Sequence, residues 1–320
     1  MGCLTHTFSI VARDPATGQL GVGVQSHWLA CGATVPWAEP GVGAVATQSF
    51  TDVSYGSLGL ALMRAGKSAG QALAALLAAD PERDVRQVAM VDGEGRVAVH
   101  TGQRCVEHAN HETGEQFSVQ GNLLKSADVC KEMAGAYRKA VEDKIGDFSE
   151  RLLRALEAGQ DAGGDVRGRQ SAALLVVAEP DDPLKRHTLT NLRVDDHAQP
   201  LVELRRLLTV QRSYEWHDLA IHSVEEGDLE TARKHYGNLR GLVVGTREPQ
   251  FWYAAALAEK GHLDEALPIF AEVFKVEPVW RELIDRLAKA GFFPQDPAVL
   301  ERVKGLPVEL APAKKQTETG

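Results

Sequence analysis

The sequence predicts an α+β fold in which two sheets lie between layers of helices, followed by a separate all-α region. Two observations carry this prediction. Strand patterns and pairs of helical patterns alternate up to about residue 200, an order that favours helix layers covering stacked sheets. Beyond that point the strand signals stop and helical patterns run to about Lys304. We therefore expect domains over residues 1–199 and 200–305, with a polar, disordered tail over 306–320.

The first predicted element is a β-hairpin at the N-terminus. Phe8, Ile10 and Ala12 alternate with more polar neighbours over residues 6–13, which is the period-two pattern of a strand. A turn of Asp, Pro, Ala, Thr and Gly leads into a second alternating run over 19–25. Residues 34–39 contain a proline and precede another, and they are interpreted as a loop before a third strand over 41–49.

In the middle of the first domain, predicted pairs of helices alternate with predicted strands. Helical patterns over 55–79 and 126–158 predict two helix pairs. Between them lies a predicted hairpin over 86–100, turning at Asp92-Gly93-Glu94-Gly95. The polar segment 101–114 is interpreted as a loop. The remaining predicted strands cover 117–120, 171–178 and 189–194.

The helical region contains a helix, a short glycine turn and a second helix, over 251–259 and 263–273 with Gly261 between them. This spacing is similar to a tetratricopeptide-like helix hairpin. Only about two such units can be counted, so a plain helical bundle is an alternative.

Charge and hydropathy exclude several functional classes. The net charge of −9 argues against a nucleic-acid partner. The N-terminus lacks the features of a signal peptide, and we find no run of apolar residues long enough for a membrane span, so the cytoplasm is the expected location. Cys3, Cys31, Cys105 and Cys130 are widely spaced, which favours reduced thiols. Cys105, His108 and His111 share a loop but lack an evident fourth ligand, so we expect neither a metal nor a cofactor.

Thr7, at the head of the first strand, is the candidate with the most distinctive chemistry. If the chain were cut before it, Thr7 would carry a hydroxyl nucleophile and a free α-amine on one residue. An α-amine titrates near neutral pH, so it can act as the base that accepts the hydroxyl proton. The alternative is that this threonine simply favours β-structure.

Other candidates follow strand ends or lie in a glycine-rich loop. Asn122, after Gln120-Gly121, could donate its amide to a developing oxyanion, or it could merely cap a helix. The loop 163–170 carries Asp165, Arg167 and Arg169, which could bind a substrate carboxylate or shift the pKa of the amine. It lacks the Gly-Lys-Ser/Thr ending of a phosphate-binding loop. The strand-end candidates for substrate binding are Gln25, Ser26, Gln48 and His100.

A rival nucleophile is Cys31, beside Gly32 and near His27. It has no terminal amine to assist it, and a buried, inert cysteine is the commoner outcome. An enzyme that uses Cys31 is therefore the third hypothesis.

The first two hundred residues resemble the bacterial family known as domain of unknown function 1028. The matching stretches are 7–14, 41–48, 120–122, 163–172 and 192–197. The resemblance implies the four-layer αββα sandwich of the N-terminal-nucleophile hydrolases. It also implies a nucleophile at the position matching Thr7, which in similar chains usually follows the initiator Met directly. Here six residues precede Thr7. Either the His6-Thr7 bond is cleaved, or translation starts later, or the nucleophile is never freed.

The main hypothesis is thus a hydrolase of amide or related C–N bonds, with Thr7, Asn122 and Asp165 as the catalytic residues and a homo-oligomer as the expected assembly. The helical region resembles a small domain described as peptidoglycan-binding in some family members. The alternative hypothesis is a non-catalytic binding protein whose helical region takes a partner, with a peptide or a glycan as the candidate ligand.

Overall fold

The computed structural model describes residues 3–5, 7–182, 186–242 and 245–307. His6 and most of the predicted tail lie outside these residues. The chain divides into two compact units, Met1–Arg205 and Arg206–Gly320. Within the described residues, the first unit is mixed α and β, with two antiparallel sheets, and the second is helical.

A five-stranded antiparallel sheet is built around β5 and is continued by β6 and β7. Its two short strands, β1 and β4, pair along the same edge of β5, with Cys3 opposite Thr51 and Pro36 opposite Ala46. The bounds are β1 (Cys3–Thr5), β4 (Pro36–Glu39), β5 (Gly43–Thr51), β6 (Arg86–Asp92) and β7 (Val97–Thr101).

The six-stranded antiparallel sheet has β2 and β3 at its centre, in the order β11-β10-β3-β2-β9-β8. The predicted N-terminal hairpin is confirmed, with Thr7 opposite Ser26 in its register. The bounds are β2 (Thr7–Arg13), β3 (Leu20–Ser26), β8 (Asn110–Gly114), β9 (Phe117–Gly121), β10 (Ser171–Val177) and β11 (Thr188–Val194).

Each sheet packs against its own pair of helices. The helices α1 (Ser54–Arg64) and α2 (Ala69–Ala79) contact the five-stranded sheet, whereas α3 (Asp128–Glu142) and α4 (Phe148–Asp161) contact the six-stranded one. The inner faces of the two sheets meet in a shared apolar core to which β2, β3, β5 and β6 contribute. Polar side chains on these inner faces are therefore shielded from water on both sides.

The second unit has a core of its own. Four aromatic side chains, Phe251, Tyr253, Phe270 and Phe274, are almost completely buried there. The helices are α6 (Leu229–Arg240), α7 (Glu248–Glu259), α8 (Leu263–Val276), α9 (Val279–Ala290) and α10 (Pro297–Lys304), preceded by α5 (Pro200–Glu225), which begins in the first unit. The predicted helix–glycine–helix pair corresponds to α7 and α8. None of the described helices combines the length and the apolarity needed to cross a bilayer.

Three local predictions were wrong for identifiable reasons. Residues 36–39 and 110–114 were interpreted as loops, but they are the edge strands β4 and β8, and edge strands tolerate polar residues and proline. The patterns over 201–210 and 214–226 were treated as two segments, but they belong to one helix, α5. The strand β1 was not predicted at all.

Candidate functional site

Thr7 is the first residue of β2 and lies against the ends of three other strands. Its hydroxyl donates to Ser26 Oγ at 3.2 Å. Its carbonyl oxygen accepts from the backbone N–H of Asn122 at 3.1 Å and from Gln48 Nε2 at 3.2 Å. The structure therefore brings together four of the residues predicted from sequence. All four are 0% exposed.

A network of buried amides extends from Thr7 between the two sheets. Ser9 donates to Gln48 Oε1 at 2.7 Å and accepts from Gln120 Nε2 at 2.6 Å. Gln87 Oε1 accepts from Gln48 Nε2 at 2.8 Å and from Asn122 Nδ2 at 2.9 Å. Because each amide orients the next, the network holds these side chains in defined positions.

The amide of Asn122 is already engaged in this network. The side chain that was predicted to stabilise an oxyanion donates to Gln87 in the full-length chain. An oxyanion at this site would have to compete for that donor. The backbone N–H of Asn122 is likewise directed at the Thr7 carbonyl.

Asp165 is held at the same end of the sheet by the glycine-rich loop. The positive φ of Gly164, +58°, turns the chain where it passes Phe8, and Asp165 then forms an isolated β-bridge with Leu124. One carboxylate oxygen accepts from the backbone N–H of His27 at 3.2 Å, next to Ser26. Asp165 thus contacts the residue that follows Ser26, the cross-strand partner of Thr7.

Arg167 binds the Asp165 carboxylate directly. Its guanidinium donates to the two carboxylate oxygens at 3.1 and 2.7 Å, and its backbone N–H adds a bond at 2.9 Å. The carboxylate of Asp165 is fully buried, whereas the arginine side chain is 28% exposed. The guanidinium of Arg167 therefore compensates the buried negative charge of Asp165. It would have to leave this carboxylate to bind a ligand.

Two predicted residues face away from Thr7. Gln25 pairs with Phe8 on the helix-covered face of its sheet, where its Nε2 donates to Gln160 Oε1 of α4 at 2.7 Å. His100 lies on the outer face of β7 and its Nε2 contacts the Arg83 carbonyl oxygen at 2.8 Å. Strand periodicity explains both, because adjacent residues point to opposite faces.

Gln25 and Arg169 line a separate cavity of about 270 Å³ beside α4. Gln25 is fully buried, and no hydrogen bond reaches its Oε1 from the described residues. Glu157 and Gln160 also line this cavity. It is a polar pocket on the helix side of the sheet, distinct from the inter-sheet network.

Cys31 lies in the apolar core between the sheets. Burial raises the pKa of the Cys31 thiol to about 12, and its side chain is 0% exposed. Such a thiol is almost entirely protonated at neutral pH, which counts against the nucleophilic role considered for Cys31. Cys105 donates to the Arg86 carbonyl oxygen at 3.3 Å. Among the described residues, no group of three or more His, Cys, Asp or Glu side chains could hold a metal ion.

Sequence reasoning missed Ser9 and Gln87 and did not single out the side chain of Gln120. The available signal was a polar residue at an inward-facing strand position among small apolar neighbours. Thr7 and Ser9 share the inward face of β2, opposite the Phe8 face. The same alternation places Gln48 and Gln87 in register as neighbours on β5 and β6.

A solved structure and a family model match this chain. A solved structure, protein SPO2555 from Silicibacter pomeroyi, is similar over 63% of this chain and 88% of its own, with 30% sequence identity and a TM-score of 0.57. It is described as a DUF1028 protein. No curated protein matches the chain. The model of DUF1028, described as a family of unknown function, matches residues 7–204. The match starts at Thr7 and spans more than half of the sequence, and the chain therefore belongs to the DUF1028 family.

Proposed function

We propose that this protein hydrolyses amide or related C–N bonds, with Thr7 as the nucleophile after the residues before it have been removed. The observation that carries the proposal is the position of Thr7. It begins β2, it begins the family match, and its carbonyl group is fixed by Asn122 and Gln48. A cut before this residue would leave the new α-amine beside a positioned hydroxyl.

In the proposed mechanism, Thr7 supplies both the nucleophile and the base. The Thr7 hydroxyl oxygen attacks the substrate carbonyl carbon while the α-amine takes the hydroxyl proton. The amine then gives that proton to the leaving nitrogen, so the C–N bond breaks and an acyl ester remains on Thr7. Water attacks the ester with the same amine as base, which releases the acid and restores the hydroxyl.

The surrounding residues take supporting roles. Ser26 accepts the hydrogen bond that orients the Thr7 hydroxyl. Asn122 supplies the oxyanion donor by exchanging its bond to Gln87 for one to the substrate oxygen. Asp165, whose charge is paired with Arg167, orients the substrate or the freed amine from beside the neighbouring strand end. In the first unit, the two sheets lie between two pairs of helices. This layer order agrees with the N-terminal-nucleophile hydrolase fold that the family resemblance implies.

The full-length chain is proposed to be a latent form. β1 pairs with β5 of one sheet, and the chain enters the other sheet at Thr7. In this state Thr7 is 0% exposed, and its nitrogen is part of a peptide bond. Removal of the leader would both free the amine and open the strand ends.

The test compares two forms of the protein, one full-length and one that begins at Thr7, the second released from a fusion by a protease that leaves no residue before the cut. Each is incubated with a β-lactone, which a nucleophilic hydroxyl opens to form an ester without loss of atoms. We expect an adduct on Thr7 only in the second form. Intact mass and fragment masses locate it.

Controls separate the hydroxyl from the amine. Thr7→Ala retains a free α-amine, so any remaining label is an amide that hydroxylamine does not cleave, whereas the Thr7 ester is cleaved. A panel of small amides and ureides then measures turnover by the Thr7 form. The proposal fails if the correctly folded Thr7 form gains no hydroxylamine-sensitive adduct, or if turnover is unchanged in Thr7→Ala.

The burial of Thr7 favours one alternative, a non-catalytic protein in which the nucleophile is never freed. In that case mature protein purified from its native source would retain residues 1–6, and its partner binding would be indifferent to Thr7→Ala. N-terminal sequencing of that protein decides between the two functions.

A further inference from the structure

The helical unit contains a cavity of about 340 Å³ between the end of α6, the start of α7 and one face of α8. Its volume lies within the range of small-ligand sites, roughly 300–1,000 Å³. The cavity lies entirely within the second unit, so a ligand bound there would not depend on Thr7 or its chemistry.

Gln250 is the unusual residue in its wall. The side chain is 4% exposed, yet neither its Oε1 nor its Nε2 has a hydrogen-bond partner among the described residues. Buried polar groups in native proteins are almost always hydrogen-bonded. A buried amide that lines a cavity without a partner can bond a ligand that offers both a donor and an acceptor.

The lining of the cavity carries more positive than negative side chains. Arg240, Arg247 and Lys275 line it with a single carboxylate, Glu272, which lies 3.5 Å from Arg240. Glu277 lies nearby but does not line the cavity. Its carboxylate accepts hydrogen bonds from the backbone N–H of Arg247 at 2.6 Å and from Trp280 Nε1 at 2.8 Å. The excess of positive charge calls for an anionic ligand group.

An apolar wall completes the site. Ile269 and Val273 are buried side chains of α8, and Val276 is 56% exposed at its end. Tyr236 also lines the cavity, and its ring stacks on that of Tyr253 with the ring centroids 4.3 Å apart. The cavity thus combines cations, an amide and an aliphatic surface.

We propose that this cavity binds the C-terminal end of a peptide. The terminal carboxylate would be held by Arg247 and Lys275, the last peptide group would fill both hydrogen-bonding positions of Gln250, and an apolar last side chain would contact the α8 wall. A phosphate group fits less well, because a dianion carries no donor for the Gln250 oxygen.

The experiment measures binding of fluorescein-labelled pentapeptides to the full-length protein by fluorescence anisotropy. One pool ends in Ala, Val or Leu with a free carboxylate, and a matched pool carries C-terminal amides. We expect saturable binding of the first pool and binding roughly tenfold weaker or worse for the second. Inorganic phosphate and acetate serve as competitors, and both should displace the peptide only at far higher concentration.

Gln250→Leu separates recognition from structure. Because the amide has no internal partner to lose, the melting temperature should stay the same or rise, while peptide affinity falls roughly tenfold or more. Arg247→Gln should act in the same direction, and Arg286→Gln, an exposed arginine that does not line the cavity, should change nothing. The proposal is overturned if carboxylate and amide peptides bind alike, if no peptide binds, if phosphate competes as well as peptide, or if Gln250→Leu retains full affinity.

Discussion

The buried amide network of the first unit and the single buried amide of Gln250 in the second differ in their hydrogen bonding. Between the sheets, Gln48 and Gln87 donate and accept within one connected network that reaches Thr7. In the helical unit, Gln250 is 4% exposed, and its side-chain amide has no hydrogen-bond partner among the described residues. The same residue type is therefore fully hydrogen-bonded in the first case and lacks a hydrogen-bond partner in the second.

This difference bears on how each site would become active. A satisfied network holds its members in place, and its donors become available to a ligand only when an existing bond is exchanged. Under the proposed function, the residues before Thr7 would therefore have to be removed before chemistry could begin. An unsatisfied amide in a cavity is ready to bind without any covalent change.

The prediction with the largest expected effect concerns whether a reagent in solution can reach the interior of the first unit. Burial raises the pKa of Cys31 to about 12, so at pH 8 its thiolate fraction is roughly a thousandfold below that of an ordinary thiol. Iodoacetamide should label Cys31 more than about a thousandfold faster in urea than in the folded protein. Peptide mass spectrometry gives both rates.

Cys105 provides the internal control. It is only partly buried, although burial also raises the pKa of its thiol, and it should be labelled before Cys31 in the folded protein. Rapid labelling of Cys31 under native conditions would show an open interior, remove the contrast between the two units, and restore Cys31 as a candidate nucleophile.

The contrast itself is tested by changing two glutamines in the same way. Gln87→Leu removes the acceptor of Gln48 and Asn122 and the donor to the Gly121 carbonyl oxygen. Because several buried groups lose partners at once, we expect a loss of about 2–4 kcal/mol in the free energy of unfolding.

Gln250→Leu should cost nothing or stabilise its unit, since no internal hydrogen bond is lost. Urea denaturation followed by near-ultraviolet circular dichroism measures both variants, with the transition of each unit fitted separately. Equal losses in the two variants would mean that the two glutamines do not differ as the structure indicates.

Sequence reasoning predicted the order of elements well because that order follows from local periodicity. The hairpin of β2 and β3, both helix pairs of the first unit and the α7–α8 pair all have strong local patterns. The strands β4 and β8 were missed because their stability comes from pairing with β5 and β9, which a local pattern does not reveal.

The site was harder to predict than the fold. Thr7, Ser26, Gln48 and Asn122 come together near strand ends, which could be identified from sequence, and the glycine-rich loop adds Asp165 beside His27. Which face each side chain takes depends on register, and this separated Gln25 and His100 from Thr7. Gln250 lies one residue before the helix predicted over 251–259, in the first turn of α7, and an unpaired amide leaves no trace in the sequence.

The smallest expected effect concerns ion pairs, in which the two units differ again. Asp80 and Arg86 are each only 12% exposed in the first unit, whereas Glu265 and Arg233 are 32% and 56% exposed in the second. Burial alone would raise the pKa of Asp80, but hydrogen bonds from Arg86, the Glu82 backbone and Tyr55 outweigh it and the pKa is lowered.

A lowered pKa in the folded state means that this carboxylate stabilises the protein above its unfolded pKa, near 4, and ceases to do so as the pH falls through the folded value. Asp80→Asn should therefore cost about 1–2 kcal/mol at pH 7 and progressively less below about pH 4. Glu265→Gln, the more exposed counterpart, should cost less than about 1 kcal/mol. Urea titrations of both variants at pH 7 and pH 3 measure the difference. A cost for Asp80→Asn that persists unchanged at pH 3 would show that the side chain acts through packing, and that its charge contributes nothing to the stability of the first unit.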